Sequence, residues 1–235
     1  MMNIFTDFQP YLLPNTDIWA LSKDKAIELL AYLESKGICQ VFCMPPVRKE
    51  NSQNSVEFLK KQFTELKDAY TGKIVLKLLV RYRLDEAFEC TWQNYDTCEV
   101  GGAKNLFVEV PPLKEIHDYW QMLEAIIELG YTPIVMQPER TEYWTIEDCT
   151  RLKQIGCRFM LNLYSLFGYN GDGALFVSRM LLEKGMYTYL FSGMEDTKVM
   201  YYSEQIEMED DVVTMSTIEK LIDNNRLLWS VNANE

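Results

Sequence analysis

The chain holds one histidine, His117, in 235 residues. That scarcity argues against chemistry built on imidazole: a mixed Cys/His zinc centre, or a serine or cysteine nucleophile relayed through histidine. The six cysteines, Cys39, Cys43, Cys90, Cys98, Cys149 and Cys157, include no Cys-x-x-Cys pair. Cys39 and Cys43 lie in an apolar strand-like run and Cys157 opens another, where a thiol serves as a small buried hydrophobe. Basic residues are also few. Lys+Arg 23 against Asp+Glu 35 leaves a net charge of −12, which repels a polyanion, so no nucleic-acid partner is expected and the charge favours solubility. No apolar run is long enough to cross a bilayer, and none follows a basic patch at the start in the manner of a signal peptide. No membrane insertion is expected, and a cytoplasmic location is.

What the chain does have is a hydrophobic content of 48%, enough for a substantial core, arranged as short apolar runs alternating with amphipathic stretches. That alternation reads as repeated βα units around parallel strands. Strands are expected at 3–8, 39–44, 74–80, 105–110, 132–136, 157–163 and 187–191. Pro45-Pro46 stops the second and Pro111-Pro112 closes the fourth, since proline cannot donate to a ladder. Helices are expected at 24–35 with Ser22 as N-cap and Gly37 after it, at 55–69, at 113–129, at 146–155 with Thr145 as N-cap, at 174–183 and at 217–228 with Ser216 as N-cap. Residues 85–104 read as an irregular insertion and the acidic run 207–211 as a solvated loop. Without an internal repeat or low-complexity linker, residues 1–235 are expected to form one domain.

Glu109 is the most unusual residue by pattern, a carboxylate at the C-terminal end of an apolar strand, the end where parallel barrels place function. It is paired, protonated, on a metal, or directed to solvent. Gln137-Pro138-Glu139-Arg140 ends another strand. Arg140 offers a planar fork suited to phosphate, or forms a surface pair with Glu139. The Gly168–Gly173 segment before a helix is either an anion cradle or a simple turn. His117 falls on a predicted helix and reads as a surface or half-buried residue. Trp120, Met122 and Leu123 on that helix read as a core stripe.

The first loop, Asp7-Phe8-Gln9-Pro10-Tyr11-Leu12-Leu13-Pro14-Asn15-Thr16-Asp17-Ile18, resembles the Asp-x-His-x-His-x-Leu-Pro-Gly-x-Asp-Asp opening of the capsule-type bacterial protein-tyrosine phosphatases of the PHP superfamily. Asp7, Leu13, Pro14 and Asp17 fall in register. Gln9 and Tyr11 stand where that family has histidines, Asn15 where it has glycine and Ile18 where it has an aspartate. Cys43-Met44-Pro45-Pro46 resembles Thr-Thr-Pro-His, which places Pro46 on a ligand histidine. Arg81-Tyr82-Arg83-Leu84-Asp85-Glu86-Ala87-Phe88 resembles Glu-Tyr-x-x-Asp-Glu-x-Phe, with Arg81 on a ligand glutamate. Gln137 replaces the histidine of His-Pro-Glu-Arg. Asn162-Leu163-Tyr164-Ser165-Leu166-Phe167-Gly168-Tyr169 resembles Asn-Leu-x-Ser-Leu-x-Gly-Tyr. Gly193 and Glu195 stand on the aspartate and histidine of Gly-Thr-Asp-x-His.

The resemblance covers about residues 3–195. It implies a TIM-like parallel (β/α)7 barrel of the PHP type. It also implies a multi-ion site from which every ligand histidine is missing and, of the strand-end ligands, Glu109 alone is retained. No cofactor is expected, beyond weak Mg²⁺ or Mn²⁺ binding of the kind a histidine-free oxygen cluster gives, with Asp17 and Glu195 as oxygen donors. Arg81 is expected to pair with Glu109 in the vacated pocket, their charged groups within about 6 Å. Arg140, which matches the arginine set against substrate phosphate, together with Arg81 and Arg83, is expected to meet any anion. The implied function is that of a catalytically impaired tyrosine-phosphatase homologue, a binding or regulatory module linked to capsular or exopolysaccharide biosynthesis. Its implied partner is a phosphotyrosine-bearing or tyrosine-rich tail of a polysaccharide-export kinase. Two alternatives stand beside it: an active metal-dependent phosphoester hydrolase with a rearranged site, and a small-molecule or anion binder whose pocket is lined by Gln9, Tyr11, Gln137 and Glu195.

Overall fold

Short capped helices alternate with strands, and both follow from local chemistry. The computed structural model describes residues 6–85, 88, 99–100, 103–113, 118–192 and 212–230. In chain order the elements are β1 Thr6–Gln9, α1 Lys23–Ser35, β2 Gln40–Cys43, β3 Pro46–Val47, α2 Val56–Ala69, β4 Val75–Leu78, β5 Arg81–Arg83, β6 Glu99–Val100, β7 Ala103–Glu109, α3 Tyr119–Glu128, β8 Thr132–Met136, α4 Ile146–Ile155, β9 Arg158–Asn162, α5 Asp172–Glu183, β10 Tyr187–Phe191 and α6 Val212–Ser230. Ser22 and Ser55 cap α1 and α2 by accepting from Lys25 N and Phe58 N. Thr145 and Asp148 exchange bonds as a capping box on α4, which satisfies two donors the first turn otherwise leaves open. On α1 the buried residues Ala26, Leu29, Leu30 and Leu33 repeat at the spacing of one helix face.

The strands run parallel in two ladders. One is β1-β2-β4; the other is β3-β5-β7-β8-β9-β10, with the short β6 antiparallel on β7. They meet where the expected strands 39–44 and 74–80 each end early. The first chain resumes as β3 after Pro45, and beyond β4 the second resumes as β5. Leu79 N donates to Cys43 O at 2.9 Å and Arg81 N to Pro45 O at 3.2 Å, which stitches the two halves together. Pro46 therefore starts a strand instead of ending one, a place where its missing N–H costs nothing.

Alternation along these strands divides the core in two. Phe8, Phe42, Phe107, Ile134, Met160 and Phe191 gather on one side with Leu228 of α6. Val41, Leu106, Val108, Val135, Phe159 and Leu190 face the helices on the other. Burial on both faces is the usual condition of parallel strands.

Among the described residues no backbone ladder joins β10 to β1. Asn225 of α6, fully buried, bridges that seam. Its amide donates to Leu190 O at 2.7 Å and Thr6 O at 3.3 Å, while its oxygen accepts from Leu190 N at 3.3 Å. Asn225→Leu should lower stability by about 1–3 kcal/mol, because it strands buried backbone groups. Chemical denaturation should register the loss, and faster hydrogen exchange at the Leu190 amide should localise it.

Three expectations need correction. α3 begins at Tyr119, not at 113, because Leu113 lies in a bend directly after Pro111-Pro112. α6 begins at Val212, so Ser216 is inside it, on the exposed face, and not its N-cap. The buried residues Ile218, Leu221, Ile222, Asn225 and Leu228 set that helix's register. Cys39 is exposed because it precedes β2, whereas Cys43, Cys149 and Cys157 are buried, and burial pushes all three thiols up to about 12. His117, the 207–211 run, Cys90 and Cys98 lie outside the described residues. Glu99–Val100, inside the expected irregular insertion, pairs with Ala103 and Lys104 of β7.

Candidate functional site at the strand ends

The C-terminal ends of the parallel strands collect the chain's most unusual charges. β5 reads Arg81-Tyr82-Arg83. Alternation sends Tyr82 into the helix-facing core and both arginines to the other side. The ladder sets Arg83 opposite Glu109 at the end of β7, and cross-strand partners on one face meet. Arg81 Nη1 lies 2.7 Å from Glu109 Oε2, so the expected pair forms. Arg83 Nε is 3.2 Å and Arg48 Nη1 3.8 Å from Glu109 Oε1. Asp17, from the first loop, accepts from Arg48 Nη2 at 3.0 Å and sits 3.8 Å from Arg81 Nη2. The Tyr11 ring lies 4.7 Å from the Arg81 guanidinium.

This cluster is largely dry. The side chains of Arg81 and Asp17 are 1% and 0% exposed and that of Glu109 13%, so the ions must stabilise one another. For Glu109, burial alone would raise the pKa; Arg81, Arg83 and Arg48 outweigh it and hold the carboxyl below its ordinary range. For Arg81, burial would lower the pKa, and Glu109, Tyr11 and Asp17 more than reverse it. Glu109 is therefore paired, not directed to solvent.

The other strand ends are amide-rich. Asp7 accepts from Phe8 N and Ser192 N at 2.8 Å each and from Gln9 Nε2 at 2.6 Å. Burial nevertheless raises its pKa. Gln9 also donates to Ser192 Oγ at 2.9 Å, so its amide ties β1 to the end of β10. Pro46 pairs in the ladder with Arg81. Gln137, in the left-handed region at φ 53°, accepts from Arg140 Nη1 at 2.8 Å and Asn162 Nδ2 at 3.2 Å. The alternative pairing of Arg140 with Glu139 is not what forms. Glu139 is buried and accepts from Asn162 N, Ser165 Oγ and Tyr187 Oη. The Gly168–Gly173 segment carries Asp172 on the first turn of α5, an acidic residue where an anion would have to sit. Gly193 and Glu195 lie outside the described residues.

A cavity of about 480 Å³ opens beside the arginines, lined among others by Asn15, Ile18, Trp19, Arg48, Glu50 and Arg83. Gln9, Tyr11 and Gln137 do not line it. Of the three arginines expected to meet an anion, Arg83 reaches this cavity, Arg81 is buried behind it and Arg140 is bonded to Gln137. Arg48 carries the site as much as Arg81 does, bridging Asp17 and Glu109, and no motif in the sequence marks it. It directly follows β3, as Glu109 closes β7, but its partners Asp17 and Glu109 are distant in the chain.

The donor set bears on metal binding. A multi-ion centre requires several anionic oxygens or imidazoles converging on shared points. Here, among the described residues, Glu109 and Asp17 converge on guanidinium groups, Asp7 is held by amides, the Gln137 oxygen is taken up by Arg140 and Asn162, and Gln9 Oε1 is a single neutral oxygen, buried without a hydrogen bond. These residues do not fit such a centre.

Known proteins share this architecture. A solved structure from the set described as YwqE from Bacillus subtilis and CpsB from Streptococcus pneumoniae, unique metal-dependent tyrosine phosphatases, superposes with a TM-score of 0.75 at 19% identity, covering 95% of this chain and 93% of the other. That likeness supports a mixed α/β fold with parallel sheets. The CapC protein of Staphylococcus aureus is 27% identical over 141 residues, 58% of this chain and 54% of CapC. The match thus spans about half the length of that relative. The family profile described as capsular polysaccharide synthesis, CpsB/CapC, matches residues 5–199. With most of its length inside that profile, the chain belongs to the CpsB/CapC capsular polysaccharide synthesis family.

Proposed function

We propose that this family member binds and does not hydrolyse: a catalytically impaired homologue that serves capsular or exopolysaccharide synthesis as a binding or regulatory module. One observation carries the reading. The Arg81 guanidinium stands between Glu109 at 2.7 Å and Asp17 at 3.8 Å, so these two carboxylates already have a cation that is part of the chain. Metal-assisted hydrolysis needs ions free to activate water and hold a phosphoryl group, and weak Mg²⁺ or Mn²⁺ association would not supply them. The partner in this reading is a phosphotyrosine-bearing or tyrosine-rich protein tail. The molecule is read as one (β/α)7 barrel spanning 1–235 and located in the cytoplasm. None of the described helices is long and apolar enough to cross a membrane.

The test uses purified chain with Mn²⁺ and an aryl phosphate. No phosphate release above the buffer blank is expected, and elemental analysis of protein prepared without chelator should find less than stoichiometric metal. Turnover that disappears in Glu109→Ala would overturn the proposal and establish a working hydrolase with a rearranged site.

A further inference from the structure

At the opposite end of the strands from the Arg81 cluster, two cations stand near one another without an acid. Arg158 opens β9 and Lys153 lies in the last turn of α4. Both side chains are half-buried. Among the described residues neither forms an ion pair. The chain has 35 acidic residues against 23 basic ones, so the missing carboxylate is not for want of supply. Asp223 is bonded to Arg226 at 3.0 Å, and its neighbour Asn224 donates to Thr188 O at 2.8 Å. Burial and the Arg158 charge, in that order, hold Lys153 below its ordinary range against a pull from Cys157. The C-terminus of α4 suits one cation, but it does not account for a second that repels it.

Strand β10 adds two hydroxyls. Its ladder with β9 slips between Tyr187 and Tyr189, which makes Thr188 the extra residue of a bulge. A bulge re-aims side chains that strict alternation would send to opposite faces. Lys153 Nζ donates to Thr188 Oγ1 at 3.4 Å, and Arg158 Nη1 donates to Tyr189 Oη at 2.9 Å. Each hydroxyl thus accepts from a cation, and its own proton has no acceptor among the described residues. Tyr189 is 5% exposed, and an unmet donor in such a place is costly. The cluster is therefore all donors: a guanidinium, an ammonium and two hydroxyl protons, with no acceptor left to receive them.

We infer that Lys153, Arg158, Thr188 and Tyr189 form a binding site for a phosphate dianion at the N-terminal ends of β9 and β10. A dianion neutralises both cations, and its oxygens receive the two hydroxyl protons and the spare N–H groups. A carboxylate, with one charge and two oxygens, would meet half of that demand. The bound anion ties α4, β9 and β10 together and so stabilises the folded chain. The site lies at the other end of the strands from Glu109 and Arg83, and it stands whether or not the strand-end cluster hydrolyses anything.

Calorimetric titration of the full chain at neutral pH and constant ionic strength, with chloride replaced by inorganic phosphate or by glycerol 3-phosphate, tests it. Saturable binding and a higher melting temperature are expected. Lys153→Gln should weaken binding by about tenfold or more. Tyr189→Phe, which removes one hydroxyl and keeps the ring, should weaken it by about threefold or more. Lys153→Arg should retain most of the affinity, which separates the charge from a purely structural role. Arg83→Gln, in the strand-end cluster, should leave it unchanged. Tighter binding of glycerol 3-phosphate would assign the site to a phosphate ester and the reverse order to the free ion; either supports the site. Cooperative melting of each variant without ligand checks the fold, and if Lys153→Gln does not fold, Tyr189→Phe decides. Undiminished affinity in Lys153→Gln or in Tyr189→Phe would overturn the inference. So would loss of binding in a folded Arg83→Gln, or no saturable binding at about ten millimolar phosphate.

Discussion

Arg81→Met should remove about 3–5 kcal/mol of folding stability, the loss expected when one member of a buried ion pair is deleted and its partner is left behind. Two carboxylates are left behind here. Glu109 would keep Arg83 at 3.2 Å and Arg48 at 3.8 Å, and Asp17 would keep Arg48 at 3.0 Å, so the loss should approach the upper end without exceeding it. Urea denaturation at neutral pH measures it. The double variant Arg81→Met, Glu109→Leu should recover part of the loss, since apolar replacement of a whole buried pair is often neutral or better. Additive losses in that cycle would show that the two residues do not interact, and the central claim about the site would fail.

The second large effect is a pH dependence at Glu139. Burial pushes its carboxyl up to about 7 from an ordinary 4.5, against the opposing bonds from Asn162 N, Ser165 and Tyr187. The folded protein therefore binds a proton more tightly than the unfolded chain does. Stability from this group is fully present below about pH 4.5 and is lost as pH rises through about 7, because the folded state holds more protons over that window. The full loss amounts to about 3 kcal/mol. Glu139→Gln keeps an oxygen for Asn162 N and Ser165 and adds a donor for Tyr187, with no charge to desolvate. Its stability should overtake wild type as pH climbs from 5 to 8. The difference between the two curves isolates Glu139 from groups of opposite sign such as Glu109, whose lowered pKa makes its contribution fade in acid. A flat difference would show that the carboxyl titrates normally in its cavity.

The sequence conveyed the βα order well, and for a physical reason. Strands buried on both faces are written as uninterrupted apolar runs, and helix starts carry caps whose chemistry is local: 132–136, 146–155 and 187–191 come out as expected. What it conveyed poorly was anything decided by a partner distant in the chain. That two strands break and restart around Pro45 depends on the β2–β4 and β3–β5 registers. Arg81 and Glu109 could be matched because both sit at strand ends. Arg48 could not, because its partners Asp17 and Glu109 lie 31 and 61 residues away in sequence and nothing local marks the loop that brings it over them. The inner Phe residues could be placed in a core, but not their contact with α6. The cavity with Trp19 and Glu50 on its rim was invisible for the same reason.

The bridge made by Asn225 has a consequence for how this protein is made. The amide that spans β1 and β10 sits 219 residues beyond Thr6, so during synthesis the first and last strands wait for α6 to leave the ribosome before their seam can be latched. Until then Phe8 and Phe42, stacked at 4.9 Å in the finished molecule and covered by Trp229 of the same helix, lack their lid. A nascent chain halted before α6 would present that aromatic surface to the quality-control machinery, and release of the last helix would withdraw it.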